Sequence, residues 1–69
     1  MQDAEAADRL IPQPAVCDRT AMSRTTVWRK VRDGEFPQPV KLGRRTVWSE
    51  RAVSAWIAER HARAQRVAA

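Results

Sequence analysis

The residues with the clearest chemical potential form one short run, SRTTVWRK, from Ser23 to Lys30. Its hydroxyls and cations are the side chains that hydrogen bond to base edges and phosphates. Val27 and Trp28, in the middle of the run, instead need an apolar surface against them. A run with both kinds of side chain predicts a short helix with one face in a protein core and the other in the major groove of DNA.

Helix boundary signals flank this run. Ser23 is a good N-cap, because its hydroxyl accepts a hydrogen bond from an unpaired N–H of the first turn. Met22 before the cap and Val27 in the second turn are spaced as a hydrophobic staple. Gly34 ends the helix, since glycine takes the left-handed conformation at little cost. The sequence therefore predicts a recognition helix over about residues 24–33.

The helical period gives this helix two different faces. At about 100° per residue, Thr25 and Arg29 lie opposite Val27 and Val31. Thr25 and Thr26 are expected at base edges or thymine methyl groups. Arg29 is expected to make a bidentate contact to guanine, worth about 1–3 kcal/mol of discrimination. Arg24, Lys30 and Arg32 are expected at backbone phosphates, and Ser23 at the start of the helix is a further DNA-binding candidate.

Each of these candidates also has a purely structural interpretation. The two threonines can serve the helix cap alone, and the cations can form a solvated helix face. Trp28 lies at the edge of the apolar face, where a core role is the more common one; as a contact, its indole N–H would donate to a phosphate. Trp48 and Trp56 are expected in the core.

Residues 39–48, PVKLGRRTVW, change from a helical to an alternating period. Val40 and Leu42 alternate with a lysine, and β-branched residues follow a Gly-Arg-Arg turn, which predicts a β-hairpin. The tip, Gly43-Arg44-Arg45, is small and cationic. Such a wing would reach the neighbouring minor groove, where narrow A·T tracts attract arginine. Its candidate contacts are Lys41, Arg44 and Arg45.

Two further helices complete the predicted fold. Residues 12–20 read as a short first helix, with Pro14 in its first turn and Val16 and Cys17 facing inward. Ser49 caps a third helix with an amphipathic stripe that consists of Val53, Trp56, Ile57 and the aliphatic stem of Arg60. The order of elements predicts a mainly α protein with a small β-hairpin, a winged helix-turn-helix.

The predicted boundaries divide the chain into three parts. Residues 1–8 are expected to be a disordered acidic segment, residues 9–63 the DNA-binding domain, and residues 64–69 a frayed helical tail. A chain of 69 residues holds one small domain. No apolar run approaches the roughly 18 residues that span a bilayer. The acidic start lacks the order of a secretory signal, so a cytoplasmic location is predicted.

Charge is concentrated in the centre of the chain. Residues 19–45 hold eight cationic and two acidic side chains, whereas residues 1–18 hold one cation and four acids. Arginine exceeds lysine there, which suits phosphate and guanine contacts. One cysteine, Cys17, excludes an intramolecular disulfide, and with the single His61 it excludes a zinc finger. Neither a metal nor any other cofactor is expected.

The ordered set of motifs resembles the AlpA family of small phage and prophage regulators, which is related to excisionases and more distantly to the MerR DNA-binding domain. The resemblance covers about residues 9–60. It rests on Ser23-Arg24-Thr25-Thr26, Arg29 after an aromatic residue, Gly34-Glu35-Phe36-Pro37, Pro39-Val40-Lys41-Leu42-Gly43, Trp48, and Val53 with Trp56. It implies a MerR-like winged helix-turn-helix.

Two positions depart from the family pattern. Ala21 stands in the helix-turn-helix turn, where the family usually has glycine. Arg19 stands near a position that is usually leucine, so Arg19 must point outward or the first helix must pack differently.

The sequence and the resemblance together predict sequence-specific binding of double-stranded DNA by a transcriptional regulator of a mobile element. One alternative is an excisionase that bends attachment-site DNA and contacts an integrase. A less favoured alternative is a protein-interaction module with an acidic partner. Cooperative or dimeric binding is expected of so small a module. An enzyme is not predicted, because Asp33 and Glu35 in the basic centre lack a partner for acid–base work.

Overall fold

The computed structural model describes residues 8–68 of the chain. Within this range the elements follow the order β-α-α-β-β-α. Their bounds are β1 Leu10–Pro12, α1 Gln13–Thr20, α2 Arg24–Arg32, β2 Val40–Leu42, β3 Arg45–Ser49 and α3 Glu50–Ala68. This mainly helical arrangement with a hairpin confirms the predicted fold class, a winged helix-turn-helix.

The three strands form one antiparallel sheet in the order β1-β3-β2. The sequence predicts only the hairpin of β2 and β3, so the first strand is an addition to the expected fold. β1 pairs Ile11 with Trp48, while Pro12 ends the strand at the sheet edge, a position that proline tolerates. This third strand widens the hairpin into a sheet that can cover the helices.

All three helices, strands β1 and β3, and the loop after α2 contribute to one apolar core. Its buried members are Ile11 from β1, Val16 from α1, Val27 from α2, Phe36 from the following loop, Trp48 from β3 and Val53 from α3. Burial of each such side chain stabilises the fold by about 1.5–3 kcal/mol. The Trp48 indole N–H donates to the Pro37 carbonyl at 2.9 Å, so the largest buried residue has its polar atom satisfied. This core fixes α2 against the sheet.

The turn between α1 and α2 is tight and strained at one position. Ala21 follows α1 with φ of 58°, in the left-handed region. That conformation costs a non-glycine residue roughly 1–2 kcal/mol, which is the physical reason for glycine in this turn. Met22, which follows, packs against the core with Val27, as the predicted staple requires.

The two predicted boundary signals of α2 are confirmed. Ser23 Oγ accepts from the Thr26 N–H at 3.1 Å. At the other end Gly34 takes φ of 75°, and its N–H donates to the Val31 carbonyl. The Glu35 N–H donates to the Lys30 carbonyl at 2.8 Å, which completes a Schellman motif. The helix therefore stops where Phe36 must turn back into the core.

Asp8 and Ser49 form the start of α3 together. Ser49 Oγ accepts from the Ala52 N–H at 3.1 Å and donates to the Asp8 carboxylate at 2.8 Å. The Arg51 N–H donates to the same carboxylate at 3.0 Å. This backbone hydrogen bond, helped by the Ser49 hydroxyl, lowers the pKa of Asp8 from its usual value. The prediction placed Asp8 in the disordered segment 1–8, of which residues 1–7 lie outside the described part.

α3 is the longest element and runs to Ala68. The tail predicted to fray, residues 64–69, is helical up to that residue, and its last residue lies outside the described range. Fraying itself therefore stays a prediction. In the described part of the chain, no helix combines the length and the apolar character needed to cross a bilayer.

Candidate nucleic-acid interface

The exposed face of α2 is a shallow, mainly cationic depression. Five side chains line it, all from this one helix: Arg24, Thr25, Trp28, Arg29 and Arg32. On the opposite face Val27 is fully buried. The predicted division of the helix, with Thr25 and Arg29 outside and Val27 inside, is confirmed.

Ser23 and Thr26 occupy the cap rather than the depression. The Ser23 hydroxyl donates to Thr26 Oγ1 at 2.9 Å while it accepts from the Thr26 N–H. Both hydroxyls are thus engaged with each other at the start of the helix. Thr25, in contrast, is exposed, and its side chain has no hydrogen-bond partner among residues 8–68. The structure therefore separates two threonines that the sequence pattern treats alike.

Lys30 also lies apart from the depression. Its Nζ is 3.6 Å from Glu35 Oε1, and only 27% of its side chain is exposed. Glu35 reaches this position because the Schellman turn folds it back over the last turn of α2. Arg32 Nε is 3.4 Å from Asp33 Oδ1, but 74% of its side chain is exposed, so it remains available on the helix surface.

Trp28 combines the core role and the surface role that the sequence leaves open. Its ring lies 5.5 Å from the Trp48 ring at an angle of 58°, while 38% of the residue is exposed. The indole N–H groups of Trp48 and Trp56 donate to backbone carbonyls. Within the described residues the Trp28 N–H has no such acceptor. One side of the ring is therefore fixed by the core and the other faces the depression.

The hairpin presents its cations in three directions. Lys41 is opposite Thr46, on the sheet face that carries Ile11 and Trp48 and packs on the helices. Arg45 is opposite Leu42, on the outer face. The predicted tip, Gly43-Arg44-Arg45, is corrected to Gly43-Arg44, because Arg45 already belongs to β3. Gly43 allows this two-residue turn with its φ of 61°.

The pairing of cations differs between the parts of the molecule. Arg9 Nε is 3.0 Å from Glu50 Oε1, and Arg19 Nη1 is 3.4 Å from Glu50 Oε2. Near α2 and the hairpin, several cations have no acidic partner among residues 8–68: Arg24, Arg29, Lys41, Arg44 and Arg45. A surface rich in unpaired arginine is suited to bind an anion.

Arg19 points outward, as one of the two alternatives required. Its Nη2 donates to Ser54 Oγ at 3.0 Å, so its guanidinium joins α1 to the first turns of α3. No local signal predicts this partner, because Arg19 and Ser54 are far apart along the chain. Arg9 and Glu50, a pair that sequence reasoning also misses, share a bidentate contact at 3.0 and 3.1 Å.

The acidic residues of the basic centre are engaged with basic neighbours. Asp33 lies beside Arg32 and Glu35 beside Lys30. Among residues 8–68 there is no group of three or more histidine, cysteine or acidic side chains that could hold a metal ion. A second depression, between the turn after α2 and α3, is lined by both acidic and basic side chains: Glu35, Glu59, Arg60 and Arg63. The α2 face differs from it, because all its charged side chains are cationic.

Comparisons with known proteins point to one family. The family model described as "Prophage CP4-57 regulatory protein (AlpA)" matches residues 9–61. The uncharacterized protein ORF88 of Enterobacteria phage P4 is 39% identical over 54 residues, which cover 77% of this chain. The matched part covers 61% of that relative. No solved structure matches the chain.

Proposed function

Because the chain belongs to the AlpA family of prophage regulatory proteins, we propose that it binds double-stranded DNA sequence-specifically as a transcriptional regulator of a phage or integrative element. The observation that supports this most is the exposed face of α2, where Arg24 and Arg29 lack acidic partners among the described residues. In contrast, Arg9, Arg19 and Arg63, which lie outside this face, are each beside a carboxylate. Unpaired cations, grouped on one helix face, suit a polyanion.

In this proposal α2 lies in the major groove with its N-terminal half at the base edges, as in other helix-turn-helix proteins. Arg29 contacts guanine O6 and N7, and Thr25 contacts the neighbouring base edge. Arg24 and Arg32 flank them and contact the phosphates on either side. Both arginines line the same depression as Arg29, so one docking orientation serves all these contacts.

The residues of the cap have a smaller role in the proposed interface. Ser23 and Thr26 order the first turn of α2, and its free N–H groups face a phosphate. Thr26 makes no base contact in this proposal, because it lies at the cap and does not line the depression. Lys30 lies beside Glu35, and in this proposal it attracts the phosphates electrostatically without a direct contact.

The hairpin, residues 40–48, extends the proposed interface to the adjacent minor groove or backbone. Arg44, in the turn, is the foremost cation of the wing. Lys41 shares the sheet face that packs on the helices, and we propose that it supports the phosphate contacts of α2. Arg45 projects from the outer face of the sheet, and we expect it to contribute less to binding than Arg44.

An excisionase would use the same surface. Such a protein bends attachment-site DNA and contacts an integrase, and nothing in the fold of this chain separates it from a promoter-binding regulator. For either role we propose a cytoplasmic, non-enzymatic protein that binds cooperatively or as a dimer, since a single module offers few contacts. A protein-interaction module with an acidic partner is the remaining alternative.

Recovery of sheared genomic DNA from the source organism with the purified protein tests the proposal. We expect enrichment of discrete sites, and we expect the matched-charge variant Arg63→Ala, altered on α3 beside Glu59, to recover the same sites. Sites over a promoter would identify a regulator, and sites beside an integrase attachment sequence an excisionase. Uniform recovery without a peak would contradict sequence-specific binding and favour the protein-interaction module.

A further inference from the structure

One apolar side chain interrupts the cationic face of α2. Trp28 is 38% exposed between residues that are charged or hydroxylic. The other exposed large hydrophobic residues of the described chain, Leu10, Val40 and Leu42, belong to the outer face of the sheet. Trp28 is thus the one exposed large apolar group on α2, the helix proposed to lie in the major groove.

The position of this indole is fixed before any ligand arrives. Trp48, fully buried and bonded to the Pro37 carbonyl, supports one side of the Trp28 ring at 5.5 Å. Thr25 lies three residues earlier, so its methyl group is a neighbour of the indole on the helix surface. Together they form a small apolar strip beside Arg29 that does not have to be ordered on binding.

The chemistry of the major groove identifies what such a strip would contact. Among the groups that base pairs expose there, the apolar one is the C5-methyl of thymine, or of a methylated cytosine. Resting on the proposed function, we propose that Trp28 and Thr25 form a binding site for a pyrimidine 5-methyl group. Thr25 and Arg29 are four residues apart, about 6 Å along the helix, so this pyrimidine lies within about two base steps of the guanine that Arg29 contacts.

The first test removes only the methyl group. A preferred duplex is selected from a random library, and each dT of the selected site is then replaced singly by dU. We expect binding to weaken about fourfold at one position, the factor that corresponds to one buried methyl group. A duplex with 5-methyl-dC at that position should bind the protein more tightly than a duplex with dC there. Less than a twofold change at every dT would overturn the inference while the selected site still supports the proposed function.

Two variants assign the effect to the strip. Thr25→Ser keeps the hydroxyl and removes the methyl group. Because Thr25 is exposed, this variant should fold like the wild type. Trp28→Ala removes the indole, and thermal unfolding shows whether the variant still folds without the Trp48 contact. We expect the ratio of the affinity for the dT duplex to the affinity for the dU duplex to fall toward one in both variants. A ratio unchanged in Thr25→Ser and in folded Trp28→Ala would place the methyl contact elsewhere and overturn the inference.

Two further outcomes separate this inference from its alternatives. If Trp28→Ala weakens binding equally on every duplex and dU has no effect, the indole N–H donates to a phosphate and no methyl site exists. If the selection yields no preferred duplex, the proposed function fails, and the methyl site fails with it.

Discussion

The two cationic regions of this domain differ in what surrounds their charges. Where β1, α1 and α3 meet, Arg9 and Arg19 converge on the carboxylate of Glu50, and Asp8 holds the start of α3. On α2 and the hairpin, Arg29 and Arg44 have no such partner within the described residues. Residue type alone does not distinguish Arg9 and Arg19 from Arg29 and Arg44. Their partners indicate that the first region serves the fold and leave the second for a ligand.

The largest expected effect comes from the exposed face of α2, where Arg24 and Arg29 lack acidic partners among the described residues. Arg29→Ala should reduce the preference for the selected duplex by about 5- to 150-fold, because the bidentate base contact that it removes is worth about 1–3 kcal/mol. Some non-specific binding should remain, because Arg24 and Arg32 still face the phosphates. Titration of selected and shuffled duplexes measures both affinities.

Arg63→Ala, which removes the same charge from α3, is the control for this experiment and should keep the preference. If Arg29→Ala lowers specific and non-specific affinity together, Arg29 contacts only phosphate and base selection lies elsewhere.

The wing should give the next largest effect. The combined change of Arg44→Ala and Arg45→Ala should weaken binding and flatten its salt dependence, by about 0.9 in the log–log slope for each phosphate that the protein no longer neutralises. The single variants sharpen this prediction, because the turn and the outer face place the two arginines differently. We expect Arg44→Ala to account for most of the change in slope. An unchanged slope in the double variant would remove the wing from the interface.

Where β1, α1 and α3 meet, a change of charge is expected to alter the stability of the fold and not its DNA specificity. Glu50→Gln removes the charge that Arg9 and Arg19 share, at a surface where such pairs contribute about 0.2–1 kcal/mol each. Its melting temperature should fall slightly, while its preference for the selected duplex is retained. A loss of that preference would show that the two regions are coupled and that the division between them is false.

Asp8 is expected to give the smallest effect, and one that depends on pH. Its pKa is lowered below the usual 3.8 by the hydrogen bonds from Arg51 and Ser49. A carboxylate with a depressed pKa stabilises the fold above the unfolded-state pKa and loses this contribution as pH falls through the folded-state pKa. Asp8→Asn should therefore melt below the wild type at pH 7, and the two should converge in acid below pH 3.8. Thermal unfolding across this range measures the difference; a constant gap at all pH values would contradict it.

Local signals make most of the fold predictable. The Ser23 cap, the Gly34 terminus and the Ser49 cap each depend on residues a few positions apart, and each is observed. β1 cannot be predicted in this way, since three residues that end in proline have no recognisable period. It exists because Ile11 pairs with Trp48, a contact between distant parts of the chain.

The candidate site is predictable in its helix periodicity and less so in its details. Thr25 and Arg29 are expected on one face and are found there. Lys30 is a candidate of the same helix, but its contact with Glu35 depends on the side-chain conformations of both residues, which the helix period and the Gly34 signal do not specify. The sequence pattern places Arg45 at the hairpin tip, whereas the two-residue turn leaves it in β3.

Competition between the selected duplex and a shuffled duplex of equal length and composition, at fixed salt, tests the central claim most directly. The unpaired cations of α2 should make the wild-type protein prefer the selected duplex by a factor on the order of 10³. Equal affinity for the two duplexes would contradict sequence-specific recognition and would leave only attraction between a basic surface and an anion.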